Sequence, residues 1–276
     1  MNDYEENIKT WLKKQGYPLE MRVAREFKRA GFMVEMATYY KDDEGNKFRE
    51  IDIVASRVGW ADKDRKIFFD IHYTCECKHS EDKPWVLFRS NSEAKSPDEN
   101  EIACKHATTA GHMALLALSI DEVTKNNSLL RRGDRPGYGV TRALDGQSDI
   151  AYKAVMSAVK AASSLARQTD EEWNKESIRV IRIFFPLVVT TGRLFSCQLS
   201  EDPEISLDEI TEGSFRFKNP EAGEQQSIIE IVTEAGLEVY LRRRAEWAAE
   251  LLAHIEAGLP GLRKLFGQQR TSEEYG

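Results

Sequence analysis

Two acidic residues and a lysine combine the types and spacing that metal-assisted hydrolysis requires. Asp52 interrupts an apolar strand, and strict alternation along that strand predicts that it faces away from Ile51 and Ile53. Glu76 and Lys78 are two residues apart in another strand-like segment, so they project side by side from one face. If the two strands are neighbours, the carboxylates of Asp52 and Glu76 approach each other.

Two such carboxylates favour a bound cation. At a separation of about 4 Å they repel each other by roughly 1 to 4 kcal/mol, and a divalent cation converts this repulsion into binding. Hard oxygen ligands suit Mg²⁺ or Mn²⁺, which keep positions open for a phosphate oxygen and an attacking water. The cation lowers the pKa of that water, and the ammonium of Lys78 can position the hydroxide or balance developing negative charge. The pattern indicates phosphodiester hydrolysis.

Hydrophobic periodicity and turn residues predict the elements that position these side chains. We expect helices over 4–12, 18–30, 101–118, 149–168 and 234–256, and strands over 32–40, 48–56, 66–79, 178–189, 193–199 and 227–232. The first three strands form an antiparallel meander, and the strand 193–199 returns beside 178–189 through a turn at 190–192. The prediction is one α/β domain over residues 1–276, with helices flanking a mixed central sheet.

The motif resembles the signature of the PD-(D/E)XK nuclease superfamily, an acid on one strand followed by E-x-K on the next. Asp52 and Glu76-Cys77-Lys78 match it, with 23 residues between the acids. The resemblance implies a restriction-endonuclease-like α-β-β-β-α-β core over about 18–190 and a C-terminal strand and helix extension over 191–276. It also implies that Asp52 and Glu76 bind the metal, that Lys78 is catalytic, and that Glu20 in the first core helix is an accessory acid and third metal ligand.

The function implied by this resemblance is a Mg²⁺- or Mn²⁺-dependent endonuclease. Its substrate would be nucleic acid, DNA rather than RNA, in bacterial defence or DNA repair. One alternative is a catalytically inactive nuclease-like module that binds nucleic acid or assembles with partners. A blander interpretation of Asp52, Glu76 and Lys78 is an ion-paired surface across two strands, worth a few tenths to about 1 kcal/mol per pair.

Composition limits the class of protein. Of 276 residues, 41% are apolar and 31% charged, which provides a core and excludes general disorder. The net charge of −7 argues against nucleic-acid binding through overall basicity, so a local basic cleft is needed. Candidates for its lining are Lys83, Lys95, Lys105, Arg131 and Arg132.

No apolar stretch approaches the roughly 20 residues that span a bilayer, and the N-terminus lacks the apolar segment of a signal peptide. We therefore expect a cytoplasmic protein without a membrane partner. The four cysteines are expected to be buried free thiols, and Trp85 is expected to pack at the edge of a sheet.

The C-terminal helix carries an apolar stripe that includes Leu237, Leu241 and Leu252. We expect this stripe to pack on the protein's own sheet, with a homodimer or partner interface as the alternative. Arg242, Arg243 and Arg244 on the same helix are expected to be solvated.

Overall fold

A computed structural model describes most of the chain. The described residues are 3–13, 15–42, 47–62, 67–80, 82–89, 106–108, 111, 137–144, 150–173, 179–199, 204–218 and 226–273. The helices with described bounds are α1 (Asp3–Lys13), α2 (Tyr17–Arg29), α3 (Ile150–Trp173) and α4 (Leu237–Glu273), and a 3-10 turn at Glu234–Gly236 precedes α4. The strands are β1 (Met33–Asp42), β2 (Lys47–Asp62), β3 (Ile67–Lys78), β4 (Trp85–Phe88), β5 (His106–Ala107), β6 (Gly139–Arg142), β7 (Arg179–Thr190), β8 (Leu194–Leu199), β9 (Ile205–Ile210), β10 (Glu212–Lys218) and β11 (Gln226–Thr233).

The strands form two sheets. The larger has the order β1-β2-β3-β7-β11-β10, with β5 paired to β7, and the smaller has the order β6-β4-β8-β9. In the larger sheet β1, β2 and β3 are antiparallel, whereas β3, β7 and β11 are parallel. The predicted α/β class and mixed sheet are confirmed.

Strand β3 is held on both sides. It pairs in parallel with β7 from Ile67 opposite Arg179 to Lys78 opposite Thr190. On the other side it pairs antiparallel with β2 as far as Ile53 opposite Cys75. Because side chains alternate along a strand, this pairing fixes the face on which Glu76 and Lys78 lie.

Helix α2 is defined by local signals at both ends. Pro18 is in its first turn, where the missing N–H leaves no hydrogen bond unmade. Gly31 adopts a left-handed φ of +84°, and the Phe32 N–H then donates to the Phe27 carbonyl, a Schellman-type end. The rings of Phe27 and Phe32 meet edge to face at 5.6 Å. These contacts fix the direction in which the chain enters β1.

The cores lie on opposite faces of the larger sheet. On one face α2 and α4 bury an apolar cluster against β3 and β7, with α2 contributing Leu19, Val23 and Phe27. On the other face α3 packs against the sheet, and the smaller sheet contributes Trp85 and Leu87 beside it. Each fully buried Leu, Ile or Phe contributes roughly 1.5 to 3 kcal/mol, so both faces stabilise the sheet strongly.

Helix α4 uses its apolar stripe within the chain. Leu237, Leu241, Ala248 and Ile255 are buried in the core shared with α2, which confirms packing on the protein's own sheet. Arg244 is also buried and forms an ion pair with Glu230, so its predicted solvation is wrong. Apolar periodicity does not reveal a buried arginine, since its partner lies in a strand distant in sequence.

Several predicted elements differ from the structure. Strand β8 does not return beside β7, because it joins the smaller sheet in parallel with β4. His106 and Ala107 form a short strand on β7, where a helix over 101–118 was expected; Gly111 is helical, and most of that segment lies outside the described residues. Helix α4 continues past Gly258 and Pro260 to Glu273. A single proline removes one backbone hydrogen bond of a helix, which need not end it.

The cysteine and tryptophan predictions are largely confirmed. Cys75 and Cys77 are buried free thiols, and Cys197 is free but only partly buried, whereas Cys104 lies outside the described residues. Trp85 is fully buried, as predicted, but β4 lies between β6 and β8 in the smaller sheet, so its predicted position at the edge of a sheet is wrong.

Candidate active site

Asp52 lies at an irregularity shared by two strands. The pairing of β1 with β2 passes from Met36 opposite Ile53 to Thr38 opposite Ile51. Ala37, between these pairs, has a φ of +54°, a left-handed conformation that is rare for a residue other than glycine. Asp52 is the residue of β2 that falls opposite this point.

At this irregularity the side chains of β2 change the face of the sheet on which they lie, so the predicted alternation around Asp52 is wrong. Ile53 is buried in the core shared with α2 and α4, whereas Ile51 is buried with Tyr40 and Ala161 on the α3 side. A regular strand would place Ile51 and Ile53 on one face. The physical reason is the left-handed residue in the neighbouring strand, which no hydrophobic pattern indicates.

The carboxylate of Asp52 bridges β2 and β3 where their backbone pairing ends. Its Oδ2 accepts a hydrogen bond of 2.7 Å from the backbone N–H of Cys77, the middle residue of the E-x-K motif. Burial raises the pKa of Asp52 and Glu50 adds to this, while the Cys77 N–H and Lys78 oppose it. The sequence therefore predicted correctly that Asp52 approaches the motif, although by a different backbone path.

Glu76 and Lys78 form a largely buried ion pair. Lys78 Nζ lies 2.5 Å from Glu76 Oε1, and Glu76 is only 8% exposed. Burial and the charge of Asp52 raise the pKa of Glu76 against the opposing effect of Lys78. Burial lowers the pKa of Lys78, but Glu76 and Asp52 outweigh it and raise that pKa overall. A solvent-exposed cross-strand pair does not describe this arrangement, since both partners lie on β3 and Glu76 is buried.

Glu20 belongs to the same electrostatic group. It lies in the first turn of α2, and its pKa is raised to about 6 by partial burial and then by the charges of Asp52, Glu50 and Glu76. Helix α2 thus brings a third carboxylate near the two on the strands, as the resemblance implied. Glu20 lies near these acids, and among the described residues it forms no hydrogen bond with them.

Three neighbours of the site were not singled out by the sequence. Ser157 of α3 lies close enough to Glu76 and Tyr40 to lower the pKa of each, against the larger raising effect of burial. On the exposed side, a hydrogen bond to Glu50 raises the pKa of Tyr39. The sequence does show Ser157 as a polar residue on the inward face of α3. That position points to the site only when α3 is known to cover this end of β3.

The turn between β7 and β8 anchors the chain as it leaves β3. The Thr191 N–H donates to the Lys78 carbonyl over 3.2 Å, and the Thr191 hydroxyl accepts from the Ser80 N–H over 2.8 Å. Gly192 lies so close to this segment that a Cβ would be 2.8 Å from the Ser80 carbonyl oxygen. The predicted turn at 190–192 is confirmed, and it positions Lys78 from the far side.

The donor chemistry of the site fits a hard divalent cation. Glu76 Oε2 is buried and has no hydrogen-bond partner within the described residues. A buried carboxylate oxygen without a partner is energetically unfavourable, and a bound cation would provide that partner. In the described part of the chain no three His, Cys, Asp or Glu side chains are already arranged as a metal-binding group. The charge of Asp52 acts on Glu76, and Glu20 and Glu50 lie within electrostatic reach of Asp52 or of each other.

The other predicted cleft residues are only partly described. Lys83 lies in the described segment just after β3, whereas Lys95, Lys105, Arg131 and Arg132 lie outside the described residues.

Comparison with known proteins identifies no relative. No protein-family model matches the chain, and no significant match is found among curated proteins or solved structures. Among the described helices, none carries an apolar stretch long enough to cross a membrane. The class defined by the fold is therefore an α/β protein with a mixed sheet and a buried group of acids at one end of β3.

Proposed function

We propose that the protein is a metal-dependent nuclease that hydrolyses phosphodiester bonds of nucleic acid, with DNA rather than RNA as the polymer. The observation that carries this proposal is the convergence of Asp52 on the Glu76-Cys77-Lys78 segment through the Cys77 N–H. Two carboxylates held together at partial burial, with an ammonium beside them, suit hydrolysis at a phosphate.

The order of elements supports a restriction-endonuclease-like core. Helix α2 is followed by β1, β2 and β3, and later by α3 and β7, where β7 is parallel to β3. This is the α-β-β-β-α-β order of the superfamily, here with β4, β5 and β6 inserted between β3 and α3. The proposed role in bacterial defence or DNA repair follows from that resemblance.

In this mechanism Asp52 and Glu76 would hold Mg²⁺ or Mn²⁺. The bound cation supplies Lewis acidity to water and to the scissile phosphate. The Cys77 N–H keeps Asp52 oriented, and Glu76 has a second oxygen, Oε2, that is without a hydrogen-bond partner among the described residues and would be available to the cation beside its ion pair with Lys78. Lys78 then orients the attacking water and neutralises charge that develops on the phosphate. Glu20 adds negative charge that strengthens cation binding.

The experiment that tests this function is a cleavage assay. Labelled single-stranded, duplex and branched DNA and RNA are incubated with the protein in Mg²⁺, Mn²⁺ or chelator. We expect the protein to cleave at least one of these substrates, and only when the cation is present. The cleavage rate should fall by a factor of roughly 100 or more in Lys78→Ala and in Asp52→Asn. Lys28→Ala, on the exposed end of α2, is the matched control. Equal cleavage by parent and both site variants would exclude the assignment.

The second candidate is an inactive module of the same fold. Burial is the main cause of the raised pKa values of Asp52 and Glu76, with the charge of Glu50 adding to the first and that of Asp52 to the second, and a module without a cation has no need to retain acids in so unfavourable a setting. Calorimetric titration with Mn²⁺ separates the two candidates. An active site predicts binding that disappears in Glu76→Gln, and an inactive module predicts no binding in either protein.

A further inference from the structure

The feature that the mechanism leaves unused is an exposed aromatic face on the β1–β2 ribbon. Tyr39 pairs with Glu50 and Lys41 pairs with Phe48 across the two strands. Alternation puts these four side chains on one face, and Tyr40 and Asp42, from the opposite face, are buried toward α3. Tyr39 is 62% exposed and Phe48 is 70% exposed.

Two such rings side by side are unusual on a surface. Tyr39 and Phe48 are diagonal neighbours across the ladder, a geometry in which side chains lie about 7 to 8 Å apart at the backbone. Isolated exposed apolar residues need no explanation, whereas neighbouring exposed aromatic rings on paired strands are typical of a binding surface. Lys41, also exposed, lies directly opposite Phe48 and supplies a positive charge on the same face.

The aromatic face is continuous with the group of acids. Tyr39 is hydrogen-bonded to Glu50, and Glu50 is close enough to Asp52 and Glu20 to influence both. On the other flank, Tyr17 and Met21 are exposed in the first turns of the helix that carries Glu20. A ligand lying on Tyr39 and Phe48 would therefore extend toward the carboxylates.

We propose that Tyr39 and Phe48 stack on unpaired bases, with Lys41 on the adjoining phosphate, so that the substrate of the site is single-stranded nucleic acid or an unpaired segment of a duplex. This inference rests on the proposed nuclease function. Flat aromatic side chains bind the faces of bases, which duplex stacking hides, and they do so with little dependence on sequence. The chain's net charge of −7 also favours a surface whose affinity comes from stacking rather than from many basic side chains.

The test measures binding separately from cleavage. A labelled oligonucleotide, as a single strand or as the matching blunt duplex, is titrated with the full chain by fluorescence anisotropy, with Ca²⁺ replacing Mg²⁺. The variant is Tyr39→Leu with Phe48→Leu, which keeps apolar volume but removes the rings. The control is Tyr138→Leu, an exposed tyrosine that precedes β6 in the smaller sheet. Thermal unfolding establishes that all three proteins are folded.

We expect the single strand to bind more tightly than the duplex. The double variant should raise the Kd for the single strand by at least roughly fivefold, while Tyr138→Leu leaves it unchanged. Unchanged single-strand affinity in the double variant, or a preference for duplex, would overturn the inference while cation-dependent cleavage still supports the nuclease. No binding of either form, as for a face that docks a protein, would also overturn it. Ring-dependent binding without cleavage of any substrate would support the stacking surface and count against the nuclease.

Discussion

Asp52 Oδ2 accepts a hydrogen bond of 2.7 Å from the backbone N–H of Cys77. The first acid of the motif is thereby attached to the residue between Glu76 and Lys78. Because the backbone pairing of β2 with β3 extends only to Ile53 opposite Cys75, this side chain continues the connection between the strands. Asp52 is therefore both a proposed metal ligand and a structural link, and these two roles can be separated by mutation.

Two substitutions of Asp52 should separate its hydrogen bond to the Cys77 N–H from the negative charge that we propose binds the metal. Asn keeps an oxygen that accepts from Cys77, so the free energy of unfolding should change by less than about 1 kcal/mol. Ala leaves the Cys77 N–H without its acceptor and should cost about 1 to 3 kcal/mol. Both variants should lose Mn²⁺ binding, measured by calorimetry beside urea unfolding. Mn²⁺ affinity in Asp52→Asn equal to that of the parent would remove Asp52 from the ligand set.

Neutralising Glu20 should stabilise the cation-free protein. Its pKa of about 6 means that it is ionised at pH 7.5 among other carboxylates. Glu20→Gln should therefore raise the free energy of unfolding in chelator by up to about 1 kcal/mol, a figure reduced for its partial exposure. Saturating Mg²⁺ should stabilise the parent more than the variant. The control is Glu26→Gln on the same helix, which loses a 2.9 Å contact with Arg29 and should be neutral or slightly destabilised. A destabilised Glu20→Gln in chelator would contradict the repulsion.

A methyl group at Gly192 should disturb the anchor of Lys78. A Cβ there would lie 2.8 Å from the Ser80 carbonyl oxygen and 2.9 Å from that of Lys83, both backbone atoms. Gly192→Ala should cost about 1 to 3 kcal/mol of stability and lower cleavage more than the stability loss explains. At Gly139 the nearest atom to a new Cβ is 4.0 Å away, so Gly139→Ala is the matched control. Equal stability of the two variants would show that the turn adapts freely.

The protonation of His72 should contribute a loss of stability on acidification. This side chain stacks on Phe184 at 4.8 Å between ring centres, and it faces Asp70 and Arg182, with Glu35 nearby. Burial lowers its pKa, with Asp70 opposing the shift. The unfolded chain therefore binds the proton first, and stability declines as the pH drops below about 6.5 until it reaches the lowered pKa.

Urea unfolding between about pH 7.5 and pH 5 measures this effect. His72→Phe should reduce the slope of stability against pH in that window, whereas His254→Asn, at an exposed position on α4, should retain it. Identical slopes for the parent and His72→Phe would contradict the assignment.

Substitutions of Ala37 should change stability in the opposite order to the usual preferences of residues for strands, because its backbone is left-handed. Glycine adopts a φ of +54° without the penalty that alanine pays, so Ala37→Gly should be neutral or stabilising by up to about 1 kcal/mol. Ala37→Val should destabilise by about 1 to 2 kcal/mol although valine favours strands. Met36→Val, at a regular exposed position, is the control. Thermal or urea unfolding checks the order, and a stable Ala37→Val would show that the strand straightens.

Much of the frame around the site could be predicted from local sequence. Pro18 and Gly31 delimit α2, and alternation along β3 assigns Glu76 and Lys78 to one face, because these signals act over a few residues. The inversion at Asp52 could not be predicted, since it depends on Ala37 in another strand. The placement of β8 failed for a similar reason: a tight turn normally pairs its flanking strands, and here the competing partner β4 lies more than a hundred residues earlier.

The buried charges show the same limit. Arg244 was expected in solvent, yet it packs near Tyr240 and pairs with Glu230, whose Oε2 also accepts a 2.6 Å hydrogen bond from the Tyr240 hydroxyl. A sequence pattern reports what a residue prefers alone, whereas burial of an ion depends on partners that only the fold assembles.

Strand β3 carries core residues on one face, including Phe69 and Cys75, and Glu76 and Lys78 on the other. Inserting or deleting one residue before Glu76 would exchange the two sets, placing apolar groups on the α3 side at the site and charges in the core shared with α2 and α4. The spacing of the motif is consequently protected by the folding of the whole molecule.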